Sequence, residues 1–252
     1  MSTTLNRKAA EIAVYAERYL LSLVFLYLTW FEFQKPWLGW NGQLATGGAV
    51  FIETSRHVNL LLLDLFTALL LLVGRRAAVP PQRLKGILVP LATTFFNLTY
   101  NAVPWLGSLS WFPALLQKNL CPIGLRLPFA IAGFVLFVIG PVIALWGILY
   151  LGRSFGVFVE VRKVVLGGPY RWVRHPMYLG WICMYTGLAL GSFSAVYLIL
   201  VPIHICLMLY RARLEEAQLS EYSPEYQEHL KHTGFIFPRF RRRPDGNSLT
   251  AG

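Results

Sequence analysis

Two short polar segments in the last hundred residues hold most of the side chains suited to chemistry. The first runs Arg162-Lys163-Val164-Val165-Leu166-Gly167-Gly168-Pro169-Tyr170-Arg171-Trp172-Val173-Arg174-His175-Pro176-Met177-Tyr178, and the second runs from Arg211 through Arg213, Glu215 and Glu216 to Pro238. In the first, Gly167-Gly168-Pro169 punctuates an extended stretch and lets backbone approach a ligand closely. Pro176 suits the first turn of a helix. Arg174 and His175 then stand at a helix N-terminus, where free N–H groups and the positive dipole end favour an anion. Tyr170 and Tyr178 add aromatic faces and hydroxyls. In the second segment Arg211 and Glu215 are spaced i, i+4 and share a helix face. Arg211 can grip an anionic group and Glu215 a cationic or amino group. Taken singly, each feature is ordinary. Cations and aromatics at helix ends anchor helices in membranes, and an exposed ion pair contributes little. Gly-Pro-Tyr followed by Arg-His-Pro-x-Tyr is harder to read as anchoring alone.

The elements that would bring these segments together are apolar. Met177–Gly191 and Phe193–Tyr210 are separated only by Gly191-Ser192 and read as a tight helical hairpin, which returns the chain to the side it left. The two segments therefore meet at one face. Four further runs have the length and sparse charge of membrane spans: about Ala13–Phe33, His57–Gly74, Gly86–Ala102 and Pro128–Leu151. Charged residues are 14% of the 252, well below the roughly 25% of soluble domains. A soluble surface cannot be built from such a composition, whereas lipid accepts apolar side chains facing outward. The sequence thus predicts an all-α, polytopic membrane protein of about six transmembrane helices with a C-terminal helical hairpin.

The net charge of +11 raises the possibility of a nucleic-acid partner, but the cations sit between apolar runs, where topology explains them. With six spans and both ends inside, 19 of the 23 Lys and Arg fall on the inner side, leaving Lys35, Arg56, Lys118 and Arg126 outside. That asymmetry predicts cytoplasmic N- and C-termini. It also predicts that the two polar segments lie on the cytoplasmic side, close to any water-soluble cofactor. Asn97 and His204, inside spans, read as interhelical hydrogen-bonding groups, while Asp64 is open between packing and ligand contact. Cys121, Cys183 and Cys206 form no CxxC pair and no zinc pattern, and the last two read as buried thiols. Residues 244–252 read as a disordered tail.

The stretch Gly168-Pro169-Tyr170-Arg171-Trp172-Val173-Arg174-His175-Pro176-Met177-Tyr178-Leu179-Gly180, followed after the hairpin by Glu215-Glu216, Leu219, Tyr226 and Pro238, resembles the signature of the isoprenylcysteine carboxyl methyltransferase family. Phospholipid N-methyltransferases are similar in the same region. The resemblance covers about residues 152–238; residues 1–127 carry no matching motif. It implies three parts: N-terminal transmembrane helices of unassigned role at 1–127, a membrane methyltransferase core at 128–240, and a tail at 241–252. It also implies S-adenosylmethionine as cofactor, held by Arg162, Lys163, Val164, Val165, Tyr170, His175, Pro176, Met177, Tyr178 and Glu215. Arg211 would contact substrate, and Arg174, Arg211, Glu215 and Glu216 form the catalytic set. The chain departs from the family at Arg162-Lys163-Val164-Val165, where members often have His-x-Leu-Val, and at Tyr222-Ser223-Pro224, which replaces Phe-Gly.

The expected reaction is transfer of an activated methyl to a lipophilic acceptor drawn from the bilayer. An already ionised carboxylate needs no general base and would be oriented by Arg211 together with Arg174; the residues offer candidates for an acid and for an amine acceptor alike, and it is the resemblance that implies carboxyl O-methylation of an isoprenylcysteine-like acid. An amine, as in a phospholipid, would need a proton acceptor such as His175 or Glu216. Two other classes compete. One is an NADPH-dependent sterol-type reductase, disfavoured because such proteins are usually longer. The other is a non-enzymatic membrane scaffold or transporter, disfavoured by the polar clusters flanking the hairpin.

Overall fold

The computed structural model describes residues 5–34, 64–100 and 119–239, with side chains described outside 31–34. Lys35, Arg56, Lys118, the first half of the second expected span, the end of the third and the expected tail lie outside these residues. Eight α-helices are used below: α1 Arg7–Tyr15, α2 Ser22–Gln34, α3 Asp64–Val73, α4 Lys85–Phe95, α5 Arg126–Leu151, α6 Pro176–Ser192, α7 Ala195–Tyr222 and α8 Pro224–His232. The β pairing described is of isolated bridges, among them Val79–Val161, Asn119–Ser194 and Val173–Gly234. The protein is a helical, integral membrane protein, in line with its composition.

Helix lengths decide which elements can cross a bilayer. Among the described residues three stretches are long and apolar enough: Arg7–Trp30, Ile123–Ser154 and Ala195–Tyr222. At 1.5 Å per residue α7, with 28 residues, is about 42 Å long, against a hydrocarbon core of about 30 Å. The helix is therefore long enough to cross the apolar layer with its polar C-terminal turns, which carry Glu215 and Glu216, extending beyond it. The helix does continue past Tyr210. The expected third span is interrupted: α4 ends at Phe95, Phe96 forms a turn, and helix resumes at 97–100. Pro90, Pro141 and Pro202 sit inside α4, α5 and α7, as membrane helices tolerate where neighbours re-satisfy the freed carbonyls.

α5 and α6 pack along their lengths through glycine. A Cβ on Gly133 would lie 2.7 Å from the Gly187 carbonyl oxygen, one on Gly140 2.5 Å from that of Gly180, and one on Gly180 2.4 Å from the Ala144 nitrogen. These are backbone atoms that cannot step aside. Gly133, Gly140 and Gly147 recur every seven residues on α5, and Gly180 and Gly187 do so on α6. This is the small-residue packing by which helices associate where lipid removes the hydrophobic drive.

Three sequence expectations are corrected. The hairpin turn is not at Gly191-Ser192. α6 runs through both residues to Ser192, and the reversal falls on Phe193, whose φ of 45° is left-handed, and Ser194. The Asn119 side-chain amide donates to the Ser192 carbonyl at 2.9 Å and the Leu120 N–H to the Phe193 carbonyl at 2.9 Å, so a loop distant in sequence holds the turn. The first span is not one regular helix, because Ala16–Leu21 is π-helical between α1 and α2. Finally, Cys206 is exposed on the helix surface and Cys183 is half-buried; the buried thiol is Cys121.

Candidate functional site

The link between α5 and α6 builds one wall of the site. Gly152, at φ 48°, ends α5. Residues 155–161 then run inward, with Phe155, Val157, Phe158, Val159 and Val161 all buried. Gly168, at φ 58°, lies flat on the Tyr150 ring, 2.2 Å from a ring carbon for any added Cβ, so only glycine fits there. The short 3-10 turn Gly168–Arg171 that follows swings Tyr170 into the interior, where its hydroxyl donates to the Gly147 carbonyl at 3.4 Å. Burial, and secondarily the Glu215 carboxylate, push the Tyr170 phenol above its ordinary range, so it stays a neutral donor. Pro176 opens α6 as the sequence predicts, with His175 as the preceding cap residue. The C-terminal strap after α8 closes the back: Arg174 N–H donates to the Gly234 carbonyl at 2.8 Å and His175 N–H to that of Phe235 at 3.2 Å.

The adjacent carboxylates Glu215 and Glu216 point to different partners, because neighbours on a helix are about 100° apart. Glu215 accepts from the Tyr178 hydroxyl at 2.5 Å and from Arg211 Nε at 3.1 Å. Arg211 also donates from Nη2 to the Val157 carbonyl at 2.6 Å and from Nη1 to the Thr94 hydroxyl at 3.3 Å, and its guanidinium lies 5.6 Å from the Tyr178 ring centre. Three of its five N–H groups are thereby used. Glu216 instead accepts from Arg174 Nε at 2.5 Å and lies 3.3 Å from His175 Nε2. Arg174 spends its Nη1 on the Leu230 and Thr233 carbonyls, at 3.2 and 2.5 Å. The Arg174–Glu216 pair is therefore a clasp that ties α7 to the strap.

Two cavities meet at this arrangement. The first, polar cavity is bordered by Arg162, Lys163, Val164 and Val165, by Tyr170, Arg174, His175, Met177 and Tyr178, and by Glu215. Nine of the ten residues expected to hold cofactor thus lie on one cavity; Pro176 is on neither. Glu160, Phe158, Gly156, Leu219 and Tyr226 also border it. The second cavity lies among the helices and is bordered by Phe25, Asp64, Thr93, Thr94, Asn97, Trp181, Tyr185, His204, Met208 and Arg211. Met177 and Tyr178 border both. Asn97 accepts from the Tyr185 hydroxyl at 3.2 Å. Thr93 supplies only a carbonyl, so His204 Nε2 donates to it at 3.0 Å, leaving Nδ1 to accept from the Tyr100 hydroxyl at 3.1 Å. Both polar groups serve helix packing while facing the cavity. Glu216 borders neither cavity.

One group behind the wall of the polar cavity has no local signature in the sequence. Glu17, on the π-helical turn, has a fully buried side chain. It accepts from the Val157 and Phe158 N–H groups, the latter at 2.9 Å, and from Arg162 Nη2 at 3.0 Å. Arg162 also donates to Glu160 and to the Phe155 carbonyl. Arg162 therefore turns its charge into the wall rather than across the cavity, although the sequence places it among the cofactor ligands.

The residues present fit S-adenosylmethionine. The polar cavity offers aromatic and aliphatic walls, neutral phenol donors, the cations Lys163 and Arg174 for a carboxylate, and the carboxylates Glu215 and Glu160 for cationic or hydroxyl groups. Among the described residues no cluster of His, Cys, Asp and Glu could hold a metal ion. Residues 129–224 match the family model described as phospholipid methyltransferase. No curated protein sequence matches. A solved structure of a eukaryotic intramembrane Ras methyltransferase, isoprenylcysteine carboxyl methyltransferase, is 17% identical over 91% of this chain and 97% of that one, with a TM-score of 0.36. The matched segment contains α6 and α7, nearly all of α5, the first polar segment, and the second as far as Pro224.

Proposed function

We propose that this chain, whose residues 129–224 match the phospholipid methyltransferase family model, transfers a methyl group from S-adenosylmethionine to a lipophilic acceptor held in the bilayer. The observation that carries the reading is the pair of cavities sharing a wall at Met177 and Tyr178, one polar and one among the membrane helices. S-adenosylmethionine would supply an electrophilic methyl on its sulfonium, open to in-line attack by the acceptor with the neutral thioether as leaving group. Positioning then does most of the catalytic work, worth up to about 7–11 kcal/mol when the reacting atoms are held aligned. Tyr178 is anchored from beneath by Glu215 and Arg211, so the wall between the cavities is rigid where alignment matters. Arg211, held by Glu215, Val157 and Thr94, borders the second cavity as a fixed cation that orients an acceptor carboxylate. That favours carboxyl O-methylation of an isoprenylcysteine-like acid, with no proton to remove.

An amine acceptor is the second reading, favoured by the phospholipid methyltransferase description of the matched segment. It requires a proton acceptor. Of the two bases the sequence offers, Glu216 is committed to Arg174 and borders neither cavity, while His175 borders the polar one.

Incubation of membranes containing the protein with methyl-labelled cofactor and lipid extract decides between them. Base-labile label in the lipid fraction is the expected result. Base-stable label would establish N-methylation instead, and absence of any label above protein-free membranes would remove the methyltransferase reading altogether.

A further inference from the structure

The buried trio of Glu17, Glu160 and Arg162 carries a charge imbalance. Two carboxylates share one guanidinium, and side-chain exposures are 0%, 1% and 3%. Every hydrogen-bonding arm of Glu17 and Arg162 described above is used within the wall. Glu160 differs: Oε1 accepts from Arg162, while Oε2 is buried and has no hydrogen-bond partner among the described residues. Glu160 borders the polar cavity, and so does Gly156. A Cβ on Gly156 would lie 3.1 Å from Glu160 Oε1, 3.2 Å from Glu17 Oε1 and 3.3 Å from Arg162 Cζ, so the trio is packed directly against this backbone. A net negative charge in such a place is costly unless something neutralises it. A proton or a cation can do so.

We infer that the Glu17–Glu160–Arg162 trio is a cation subsite of the polar cavity, in which Glu160 takes a cationic centre of the cofactor and gives up a proton to solvent as it does so. The inference rests on the methyltransferase reading. It adds a residue, a ligand group and a proton exchange that the motifs do not assign. The ligand chemistry is a cationic centre beside an adenosine, and S-adenosylmethionine has two, the ammonium and the sulfonium.

The charges around Glu160 support the exchange. Burial, and next the Glu17 carboxylate, push the Glu160 carboxyl up, to about 8, against the opposing pull of Arg162. Across the cavity stand Lys163, Arg174 and His175, with Glu215 as the other carboxylate and Tyr170, Tyr178 and Tyr226 as phenols. In the ligand-free pocket Glu160 therefore holds its proton below about pH 8. A bound cation favours the ionised form, so binding expels the proton, and affinity rises with pH until about 8 and then levels.

The test is calorimetric titration of the purified full-length protein in detergent, repeated in two buffers of different ionisation enthalpy at pH 7. The probes are S-adenosylmethionine, S-adenosylhomocysteine, which lacks the sulfonium charge, and 5′-methylthioadenosine, which lacks both cationic centres. With S-adenosylmethionine the wild-type protein should release close to one proton per site. Glu160→Gln should abolish that release and weaken binding about tenfold or more, while leaving 5′-methylthioadenosine affinity unchanged, which also reports an intact pocket. If the variant weakens S-adenosylhomocysteine equally, the ammonium is the partner; if only S-adenosylmethionine, the sulfonium. Binding of S-adenosylmethionine to wild-type protein with no proton release overturns the inference without any variant, and so does equal weakening of 5′-methylthioadenosine. No binding of any probe at millimolar concentration overturns the proposed function itself.

Discussion

At the residue scale, the polar cavity separates side chains that act on a ligand from side chains that hold others in place. Arg211 borders the cavity among the helices and not the polar one. Arg211→Lys keeps a cation near Glu215 but loses the fork that reaches Val157 and Thr94. We expect kcat/KM to fall about 10²-fold, equivalent to about 2.7 kcal/mol, with cofactor affinity in calorimetry unchanged. A parallel fall in cofactor affinity would place Arg211 in the cofactor site instead. Much of this scale was legible in sequence. Residues 162–165, Tyr170, His175, Met177, Tyr178 and Glu215 gather on one cavity, because they form one short segment and the far end of one helix joined by a hairpin. Glu17 and Glu160 were not legible. Glu17 meets Val157 across 140 residues of chain, and no local spacing encodes such a pairing. The split of Glu215 from Glu216 was in principle readable from helix geometry alone.

At the element scale, the hairpin and its partner α5 set the spacing of everything above them. The contact of α5 with α6 is backbone on backbone at Gly133, Gly140, Gly180 and Gly187. Gly180→Ala puts a methyl 2.4 Å from the Ala144 nitrogen and should destabilise the protein by about 1–3 kcal/mol. The measurement is the midpoint of unfolding in a denaturing-detergent titration. Gly124→Ala, at a position where a Cβ meets nothing within 4 Å, is the control and should leave the midpoint unchanged. The hairpin itself was readable from two apolar runs, but its turn was not. Gly191-Ser192 has turn composition, yet the reversal is fixed two residues later by the loop at Asn119 and Leu120. Composition marks where a turn is permitted; tertiary hydrogen bonds choose among the permitted places.

At the scale of the whole molecule, the charge distribution bears on the side at which the chemistry occurs. We propose that both termini and both polar segments face the cytoplasm, on the strength of 19 of 23 Lys and Arg falling there under a six-span reading. Single cysteines introduced at Arg171, in the first polar segment, and at Ile123, before α5, should label from opposite sides of sealed vesicles with a membrane-impermeant maleimide, in a background with the native cysteines replaced. Labelling of both from the same side would break the topology. Apolar length and charge asymmetry were legible because lipid imposes them on any sequence.

The π-helical turn at Ala16–Leu21 has a consequence for how the first span tolerates change. A π turn accommodates about one residue more than an α turn, so it acts as a phase shifter: α1 and α2 present faces rotated by about 100° from where an unbroken helix would put them. Removing one residue within 16–21 would not simply shorten this helix. It would twist one half against the other and carry Glu17 away from Val157 and Arg162. The span is thus indifferent to many changes of side chain on its lipid face and intolerant of a change in count.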